Sequence, residues 1–563
     1  MTTQVSSGAA PSGSTEASTV LDVAIIGAGF SGLHMIYKLR SMGMKIRAFE
    51  TGDGVGGTWY WNRYPGCGSD IESLEYSYGF SEDLQQEWRW SKRYPPQPEI
   101  EKYLNHVADR FDLRRDIQFN TRINSAVFDE KSDMWKLTTD KGQVILARFC
   151  IMATGLLSAP KPADIPGIKD FAGTVLYTSR WPKEKVDFAG KRVGIIGTGS
   201  TAVQAIPLIA AEAGHLTVFQ RTPNFTVPLR NGPLDPEYEK MVKSDYSGWR
   251  KKQMNSFGGY VSVNFQAVES NPNAAMEVSR DERLKEFEYR WSSGGLCFYT
   301  SFKDLLVDPR ANEELAEFFR EKIRPRIKDP AVADKLLPKG YPILTKRLCA
   351  DTNYFEAFNR DNVSLVDIRE TPIDKLVPEG LQVGGAVHNL DYLIIATGFD
   401  AITGALINMD IRGLGGKTIR EDWSSGPRTN AGLMTAGFPN MIFTNGPGSC
   451  TGFFNPVILV EYQGAWIGDL LESMRKKGFT RVESEREADD KWVAHMREVA
   501  APTLFWNSNN WFIGANVPGK ARVMLLYLGG FKAYRDHTTV IARNGFEGFH
   551  FSATGADSKA RSA

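Results

Sequence analysis

The chain has 563 residues, which is enough for roughly three to four domains of ordinary size. Its 67 Lys and Arg residues almost balance its 66 Asp and Glu residues, and the formal net charge of +1 gives no reason to expect a nucleic acid or an anionic membrane as a partner. Because 42% of the residues are apolar and 24% are charged, we expect a globular protein with large buried cores.

Both ends of the chain have the composition of unstructured tails. Residues 1–19 are rich in Ser, Thr, Gly and Ala, and they lack the basic start and the apolar core of a signal peptide. Residues 552–563 are predicted to be a second tail. No apolar run approaches the roughly 18 residues that a membrane helix needs. We therefore expect a soluble, cytoplasmic protein that is monomeric or weakly self-associating, with no membrane partner.

The first predicted unit is a strand, a glycine turn, a helix and a second strand. Residues 21–26 form a β-branched apolar run, which is typical of a buried parallel strand. Gly27, Gly29 and Gly32 follow, and glycines there let the backbone approach a pyrophosphate at the helix N-terminus. Glu50 ends the second strand, 23 residues after Gly27, where a carboxylate accepts hydrogen bonds from a ribose diol. A glycine turn alone also occurs in ordinary loops, so the prediction of a nucleotide site rests on the whole unit.

A second unit of the same kind begins at Lys191. Its turn contains Gly197, Gly199, Ser200 and Thr201. Where the first unit has an acid, this unit has Arg221, whose guanidinium can bind a 2′-phosphate that a carboxylate would repel. Lys346 is a second candidate for this charge, and a solvated surface arginine is the alternative interpretation of Arg221. The difference in charge predicts FAD in the first site and NADPH in the second.

The order of the units predicts an α/β fold with two Rossmann-like dinucleotide-binding domains, the second inserted in the first. Two further apolar strands, at 149–155 and 391–398, both end in the letters ATG. Residues 233–339 have helical spacing and many charges, so we expect a helical insertion there. The predicted domains are an FAD-binding domain at 20–155 and 391–551, an NADPH-binding domain at 156–232 and 340–390, and the helical insertion at 233–339.

Two nucleotide sites predict a flavoenzyme that takes hydride from NADPH. The five cysteines are scattered and include no C-x-x-C pair: Cys67, Cys150, Cys297, Cys349 and Cys450. This spacing suits a reducing compartment and argues against a dithiol-disulphide oxidoreductase. Oxygen becomes the expected electron acceptor, so the protein is predicted to be a monooxygenase or an oxidase, and no metal site is expected.

Two longer patterns point to a family. The pattern F-x-G-x-x-x-H-x-x-x-W-P/D is matched by Phe171, Gly173, Trp181 and Pro182, with Tyr177 in place of the histidine. The pattern G-G-x-W-x-x-x-x-Y-P-G-x-x-x-D is matched in full by Gly56, Gly57, Trp59, Tyr64, Pro65, Gly66 and Asp70. With further matches at 346–356 and 510–520, the chain from about residue 20 to 551 resembles the type I Baeyer–Villiger monooxygenases, in particular the phenylacetone and steroid monooxygenase branch.

The resemblance implies a specific reaction on a small ketone. NADPH would reduce FAD, O2 would add to form a C4a-peroxyflavin, and one oxygen atom would enter beside the carbonyl to give an ester or a lactone. Some members of the family also oxidise sulfur. Two alternatives remain open: a flavin N- or S-monooxygenase, which needs no arginine cation, and an uncoupled NADPH oxidase, which the unusual Tyr177 keeps open.

The same resemblance implies roles for individual residues. Arg347 would be the catalytic arginine and Asp70 the carboxylate that positions it; a surface ion pair and a turn acid are the structural alternatives. Trp511 would belong to a mobile loop that closes over the nicotinamide. Residues expected beside the flavin are Gly57, Thr58, Trp59 and Trp61, and those expected in the substrate pocket are Leu156, Leu157 and residues 445–455, including the bulky Phe453 and Phe454.

Tyr177 raises a separate question, because the family's histidine lies on the connector between the two nucleotide domains. Tyrosine can donate and accept hydrogen bonds, but it does not titrate near neutral pH. The hypothesis from the sequence is that Tyr177 keeps the connector's hydrogen bond with a shifted geometry.

Overall fold

The computed structural model describes residues 19–264, 266–267, 269–449 and 454–553. Both predicted tails beyond these limits, together with Cys450 and Phe453, lie outside the described residues. The strands, in chain order, are β1 (Thr19–Ile26), β2 (Ile46–Phe49), β3 (Ile117–Gln118), β4 (Ile123–Asp129), β5 (Met134–Thr139), β6 (Val144–Met152), β7 (Thr174–Tyr177), β8 (Arg192–Ile196), β9 (His215–Gln220), β10 (Thr226–Pro228), β11 (Ser262–Val263), β12 (Gln266–Ala267), β13 (Cys349–Asp351), β14 (Val363–Asp367), β15 (Ile373–Val377), β16 (Gly380–Val383), β17 (Ala386–Asn389), β18 (Tyr392–Ile395), β19 (Asp410–Arg412), β20 (Met441–Phe443), β21 (Arg481–Ser484) and β22 (Phe549–Ser552).

Helices connect many of these strands and cover the faces of the sheets. In chain order they are α1 (Phe30–Ser41), α2 (Thr58–Trp61), α3 (Glu82–Glu87), α4 (Gln97–Arg110), α5 (Ser200–Glu212), α6 (Pro236–Ser244), α7 (Tyr246–Asn255), α8 (Arg280–Ser293), α9 (Pro309–Ile323), α10 (Pro330–Leu336), α11 (Tyr354–Ala357), α12 (Gly404–Ile407), α13 (Ile419–Asp422), α14 (Pro456–Lys477), α15 (Arg486–Ala500) and α16 (Phe531–Arg543). None of the helices within the described ranges has the length and apolarity that a membrane crossing demands.

The first sheet is built around β1. Its strand order is β19-β4-β5-β6-β1-β2-β3, with β20 also paired to β6. β1 runs parallel to both β2 and β6, and the consecutive residues Val23, Ala24 and Ile25 are all fully buried, so both faces of the strand are covered. This burial explains why the strand is a continuous apolar run. β1 leads directly into the Gly27 turn and α1, which places that turn at the carboxyl edge of the sheet.

The second sheet has the order β14-β9-β8-β18-β7 and all of its pairs are parallel. β8 is followed by the Gly197 turn and α5, in the same arrangement as β1 and α1. β18 lies between β8 and β7. The boundary predicted at residue 391 is therefore wrong for this strand, which belongs to the second sheet and not to the FAD-binding domain. A short apolar strand ending in ATG can pair in either sheet, and its letters do not say which.

Each ATG segment packs under the glycine turn of its own sheet. A Cβ added to Gly27 would lie 2.5 Å from the carbonyl oxygen of Ala153, and one added to Gly197 would lie 2.5 Å from that of Ala396. Both glycines have positive φ, 110° and 114°. Only glycine allows the two backbones to approach so closely in this conformation. The same local construction therefore occurs twice in the chain.

The chain crosses between the sheets directly after each ATG segment, and the two crossings run side by side. They meet in an antiparallel bridge between Pro160 and Phe399. Backbone hydrogen bonds join Lys161 N–H to Gly398 O at 3.1 Å and Asp400 N–H to Ala159 O at 2.9 Å. We call the paired segments 159–161 and 398–400 the double crossing.

Helices α6 to α10 occupy most of residues 233–339, with the short β11–β12 hairpin between α7 and α8. This region docks on the first domain through buried carboxylates. Glu75, which is fully buried, accepts hydrogen bonds from the backbone N–H groups of Val261 and Ser262. A buried carboxylate needs such donors, so the contact fixes the helical region against the loop that follows Asp70.

Candidate functional site

A large cavity lies between the two sheets. Its volume is about 640 Å³, and residues from both glycine-turn units line it. The predicted site residues that line it are Gly27, Gly29, Glu50, Gly57, Thr58, Trp59, Asp70, Ser200, Thr201, Arg347 and Trp511. Five others do not line it: Gly32, Gly197, Gly199, Arg221 and Lys346. Gly32 supports the first turn from behind, because a Cβ there would collide with the carbonyl oxygen of Gly27.

Glu50 lies at the end of β2 and is only 5% exposed. Its carboxylate accepts hydrogen bonds from the backbone N–H groups of Ala28 at 2.9 Å and Gly52 at 2.8 Å. Each carboxylate oxygen keeps a further lone pair for a ligand. Glu50 thus both fixes the glycine turn and presents an acceptor to the cavity.

Arg347 and Asp70 form an ion pair on the cavity wall, with 2.7 Å between Nη1 and Oδ2. The Asp70 side chain is 4% exposed, whereas that of Arg347 keeps 30% of its surface because it faces the cavity. Burial has the largest effect and lowers the pKa of Arg347, but the Asp70 carboxylate, together with Tyr299, Cys349 and Tyr260, raises it, and the net pKa lies above its ordinary value. The guanidinium is therefore a permanent cation inside a partly enclosed space.

The loop that carries Asp70 rests on α5 of the second unit. Tyr64 donates a hydrogen bond to Gln204 Oε1 at 2.9 Å, and Gln204 Nε2 donates to Gly68 O at 3.2 Å. Gly66 lies so close to the Gln204 carbonyl that a Cβ there would collide with it. Sequence reasoning missed Gln204, because nothing in the helix pattern distinguishes it from a solvated residue.

The second glycine turn has free space beside Gly199, because a Cβ added there would meet no atom within 4 Å. Ser200 begins α5, and its hydroxyl lies 3.3 Å from the Cys349 sulfur. Free space before a helix N-terminus is what phosphate groups require.

Basic side chains surround Arg221. Burial and the charge of Arg221 lower the pKa of Lys346 to about 8, and they also lower that of Lys161. In the part of the chain that the structure describes, no carboxylate lies within ion-pair distance of any of these three cations, so an anion would be attracted there. Lys161 was not predicted; its place beside this pair follows only from the double crossing.

The residues present fit two dinucleotides. The side-chain oxygen Oδ1 of Asn445 is buried at the cavity and has no hydrogen-bond partner among the described residues. Three further features suit dinucleotide binding: the two glycine turns, the hydrogen-bond acceptor at Glu50 and the unpaired cations near Arg221. An orphaned polar atom at a cavity is the mark of a missing partner.

Trp511 lines the cavity and begins a short turn that ends at Ile513. The loop that follows is tied to the double crossing. Lys161 Nζ donates to Asn516 O at 2.7 Å, and Lys520 Nζ lies 2.6 Å from an Asp400 oxygen. The position of Trp511 in the cavity thus depends on contacts about five to nine residues away.

Tyr177 is the last residue of β7 and lies half-buried against an apolar cluster that includes Ile395 and Leu393. Among the described residues, no hydrogen bond reaches its hydroxyl group, so the hydrogen bond hypothesised from the sequence is absent there. The glycine of the same pattern has a clear packing role: a Cβ on Gly173 would lie 2.5 Å from Asp391 O. Phe171 and Trp181 are both 8% exposed.

The expected substrate residues Leu156, Leu157 and Phe454 line the cavity. Phe454 is 4% exposed and its ring centroid lies 5.5 Å from that of Phe257. Trp59 and Trp61 also line the cavity, and the indole N–H of Trp59 donates to Tyr76 at 3.1 Å. Apolar and aromatic side chains thus line the same cavity as the Arg347 guanidinium.

The described cysteines are not placed to act as redox or nucleophilic groups. The four described cysteines are free and buried, and burial raises the pKa of Cys67, Cys150 and Cys297 to about 12 and that of Cys349 to about 11. Such thiols stay protonated and unreactive at neutral pH. Within the described ranges, no group of three or more His, Cys, Asp or Glu side chains is arranged to hold a metal ion.

Comparison with known proteins agrees with this geometry. Residues 24–256 match the family described as pyridine nucleotide-disulphide oxidoreductase. An acetone monooxygenase (methyl acetate-forming) of Gordonia sp. (strain TY-5) is 43% identical, over 95% of this chain and 99% of that protein. A Baeyer–Villiger monooxygenase of Pseudooceanicola batsensis is 41% identical, over 93% and 95%. A phenazine N-monooxygenase of Lysobacter antibioticus is 41% identical, over 94% and 97%.

A solved structure gives the same result in three dimensions. Oxidised steroid monooxygenase bound to NADP superimposes with a TM-score of 0.90 at 45% identity, over 95% of this chain and 100% of that one. Identity of this level over nearly the whole of each chain fixes both the fold and the family. The chain therefore belongs to the Baeyer–Villiger monooxygenases, which use FAD and NADPH to insert one oxygen atom of O2 beside a ketone carbonyl.

Proposed function

We propose that Arg347 and Asp70 are the catalytic pair of this enzyme and that its substrate is a small, largely apolar ketone. The observation that carries this proposal is the 2.7 Å ion pair on the wall of the cavity that both glycine-turn units share. The chemistry supplied by the bound cofactors is hydride transfer from NADPH to FAD and activation of O2 at the reduced flavin. The product is an ester or a lactone.

Arg347 supplies a positive charge where negative charge develops on oxygen. Its pKa lies above the ordinary value, so the guanidinium does not give up a proton to the reaction. Asp70 holds the guanidinium in place and balances the cost of burying it. The second domain contributes Arg347 and the first contributes Asp70, so the pair is complete only when both domains are in contact.

The cofactor sites are proposed from the same cavity. Those for FAD are Gly27, Gly29, Gly32, Glu50, Gly57, Thr58, Trp59 and Asp70, and those for NADPH are Gly197, Gly199, Ser200, Thr201, Arg221, Lys346 and Trp511. The free acceptor at Glu50 supports a ribose, and the unpaired cations around Arg221 support a 2′-phosphate. Trp511 would exclude water from the cavity when its loop is closed.

The apolar lining of the cavity supports the substrate class. Leu156, Phe454, Val457 and Val460 face the cavity together, and none of their side chains offers a hydrogen bond. An apolar ketone would be held by this surface, with its carbonyl group directed to the polar groups of Arg347 and Asn445.

The purified protein should be supplied with NADPH, labelled O2 and a panel of ketones, with labelled ester, NADPH consumption and hydrogen peroxide all counted. We expect Arg347→Ala to lose ester formation by a factor of at least about 100 while it still binds FAD and NADPH. Arg347→Lys keeps a charge without the planar fork, and we expect an intermediate loss. Unchanged ester formation in Arg347→Ala would contradict the assignment.

A second activity, oxidation of nitrogen or sulfur, has one observation in its favour: the phenazine N-monooxygenase is 41% identical over 94% of this chain. Electrophilic oxygen transfer to nitrogen or sulfur does not depend on a cation beside the oxygen. Sulfides and aromatic N-heterocycles therefore belong in the same panel. We expect any such oxidation to survive in Arg347→Ala. Its loss in that variant would contradict the idea that oxygen transfer to nitrogen or sulfur does not need the Arg347 cation.

A further inference from the structure

Arg180 lies outside the proposed catalytic pair and the proposed cofactor sites, yet it faces the shared cavity. It belongs to the short turn Thr178–Arg180 that follows β7, and β7 is a strand of the second sheet. Its guanidinium carbon lies 4.2 Å from the centroid of the Trp61 ring, in α2 of the first domain. A side chain that begins in one half of the molecule thus ends on the other half.

The guanidinium of Arg180 is not neutralised. Among the described residues, its only hydrogen bond is donated to the Ser179 carbonyl oxygen at 3.0 Å, and no carboxylate lies within 4.0 Å of it. Arg122 is a second cation that faces the cavity, and it too has no carboxylate partner in the described part of the chain. Burial and the charge of Arg122 lower the pKa of Arg180, and Glu50 acts in the opposite direction. A half-buried cation with a second, exposed cation beside it at the same cavity favours an anionic ligand.

The position of Glu50 shows which part of a ligand would meet Arg180. In a dinucleotide fold the acid at the end of the second strand marks the ribose of the adenosine half, and the glycine turn marks the diphosphate. Glu50 and Arg180 are close enough for their charges to interact, and both line the cavity. The phosphate groups next to that ribose are the nearest anions that the cofactor offers.

We propose that Arg180 binds the adenosine diphosphate half of FAD, so that a segment of the second sheet is itself part of the flavin site. This inference rests on the assignment of the Gly27 turn to FAD. Trp61 supports the flat face of the guanidinium. Nη1 donates to Ser179, and Nε and Nη2, which donate no hydrogen bond among the described residues, remain to donate to phosphate oxygens. FAD is then held from both halves of the molecule.

The test uses the purified holoenzyme and measures FAD rather than turnover. FAD per chain is determined by absorbance, and the FAD dissociation constant is determined by dilution with flavin fluorescence as the signal. We expect Arg180→Ala to weaken FAD binding by at least about tenfold, as for the loss of one charged phosphate contact. Arg180→Lys keeps the charge, so its loss should be smaller than that of Arg180→Ala; equal losses would overturn the charge argument.

Arg63→Ala is the matched control. Arg63 also stacks on a neighbouring ring, that of Tyr60, but it is paired with Glu101 and does not line the cavity. We expect it to bind FAD within about twofold of the native protein. Arg180→Ala binding FAD as tightly as Arg63→Ala would overturn the proposal. If Arg180→Ala does not fold, Arg180→Gln removes the charge and keeps most of the packing.

Two further measurements distinguish a failure of the Arg180 role from a failure of the assignment of the Gly27 turn to FAD. Binding of 2′,5′-ADP, a probe of the NADPH site, should be unchanged in Arg180→Ala and shows that the variant is folded. Glu50→Gln tests the assignment of the first turn to FAD. Weaker FAD binding in Glu50→Gln with native binding in Arg180→Ala would overturn only the role of Arg180, whereas native binding in both would overturn the FAD assignment as well.

Discussion

At the scale of single residues, the charge on Arg347 is supported chiefly by one ion-pair partner, Asp70. Burial opposes that charge, and the Asp70 carboxylate at 2.7 Å contributes most to the neighbouring groups that together outweigh burial. The two residues are 277 positions apart, so no local pattern could pair them. The sequence suggested them only through resemblance to a family, whereas Glu50 followed from the spacing of the first unit. Gln204, Lys161 and Arg180 gave no signal at all, because their importance comes from what the fold brings next to them.

Lys346 is expected to make NADPH binding dependent on pH. Burial and Arg221 lower the pKa of Lys346 to about 8, so the free protein loses this charge as the pH rises above 8. A phosphate group prefers the charged form, and the KM for NADPH should therefore rise by up to about tenfold per pH unit between roughly pH 8 and 9.5. Steady-state kinetics at saturating ketone measure this directly.

Lys346→Arg is the control for that profile. Arginine does not titrate in this range, so the variant should have a nearly flat KM for NADPH. NADH lacks the 2′-phosphate and should show no such rise with the native enzyme. An equal rise in Lys346→Arg would attribute the pH effect to another group.

At the scale of elements, the two strand–turn–helix units could be predicted because an apolar run followed by spaced glycines has few alternatives. The sheet predicted for β18 was wrong for a physical reason. Its four residues are as apolar as those of β6, and each of these strands ends beside a glycine turn. Which sheet such a strand joins depends on tertiary contacts with distant parts of the chain, and the letters of the strand do not contain them. The three-residue pair β10 and β13 is too short to give any sequence pattern.

Two glycines that occupy different environments are expected to respond differently to the same added methyl group. Gly199→Ala meets no atom within 4 Å and has an ordinary φ of −78°, so it should change the free energy of unfolding by less than about 0.5 kcal/mol. The methyl group would occupy space in front of α5, and the KM for NADPH should rise at least about tenfold. Urea unfolding and steady-state kinetics measure the two effects.

Gly173→Ala is the matched counterpart. The added carbon would lie 2.5 Å from the backbone oxygen of Asp391, which cannot move without disturbing β18. We expect a loss of about 1–3 kcal/mol in the free energy of unfolding, with little change in the KM for NADPH of the folded fraction. Native stability in Gly173→Ala would show that the strands can separate more easily than their packing indicates.

At the scale of the whole molecule, the active cavity exists only because two domains meet. Arg347 and Trp511 reach it from different parts of the chain, and Asp70 reaches it from the first domain. The sequence predicted both domains and the inserted order, but it could not predict the surface on which they join. That surface includes the loop around Asp70 resting on α5, the contacts of the Trp511 loop with the double crossing, and Arg180 on Trp61.

Tyr177, on the strand that borders this junction, is expected to act by packing. No hydrogen bond from the described residues reaches its hydroxyl group, and its ring lies on the apolar cluster around Leu393. Tyr177→Phe should therefore form as much labelled ester per NADPH as the native enzyme. Tyr177→Ala should lose about 2 kcal/mol in the free energy of unfolding. Loss of coupling in a fully stable Tyr177→Phe would restore the hydrogen-bond hypothesis.

The double crossing has a mechanical consequence. A domain inserted into another must be joined to it by two stretches of chain, and in this protein those stretches are bonded to each other between residues 159–161 and 398–400. Because the two stretches are hydrogen-bonded to each other, a movement of one half relative to the other would have to bend both stretches together. A protease that cut one of the two stretches would leave the halves joined through the other stretch.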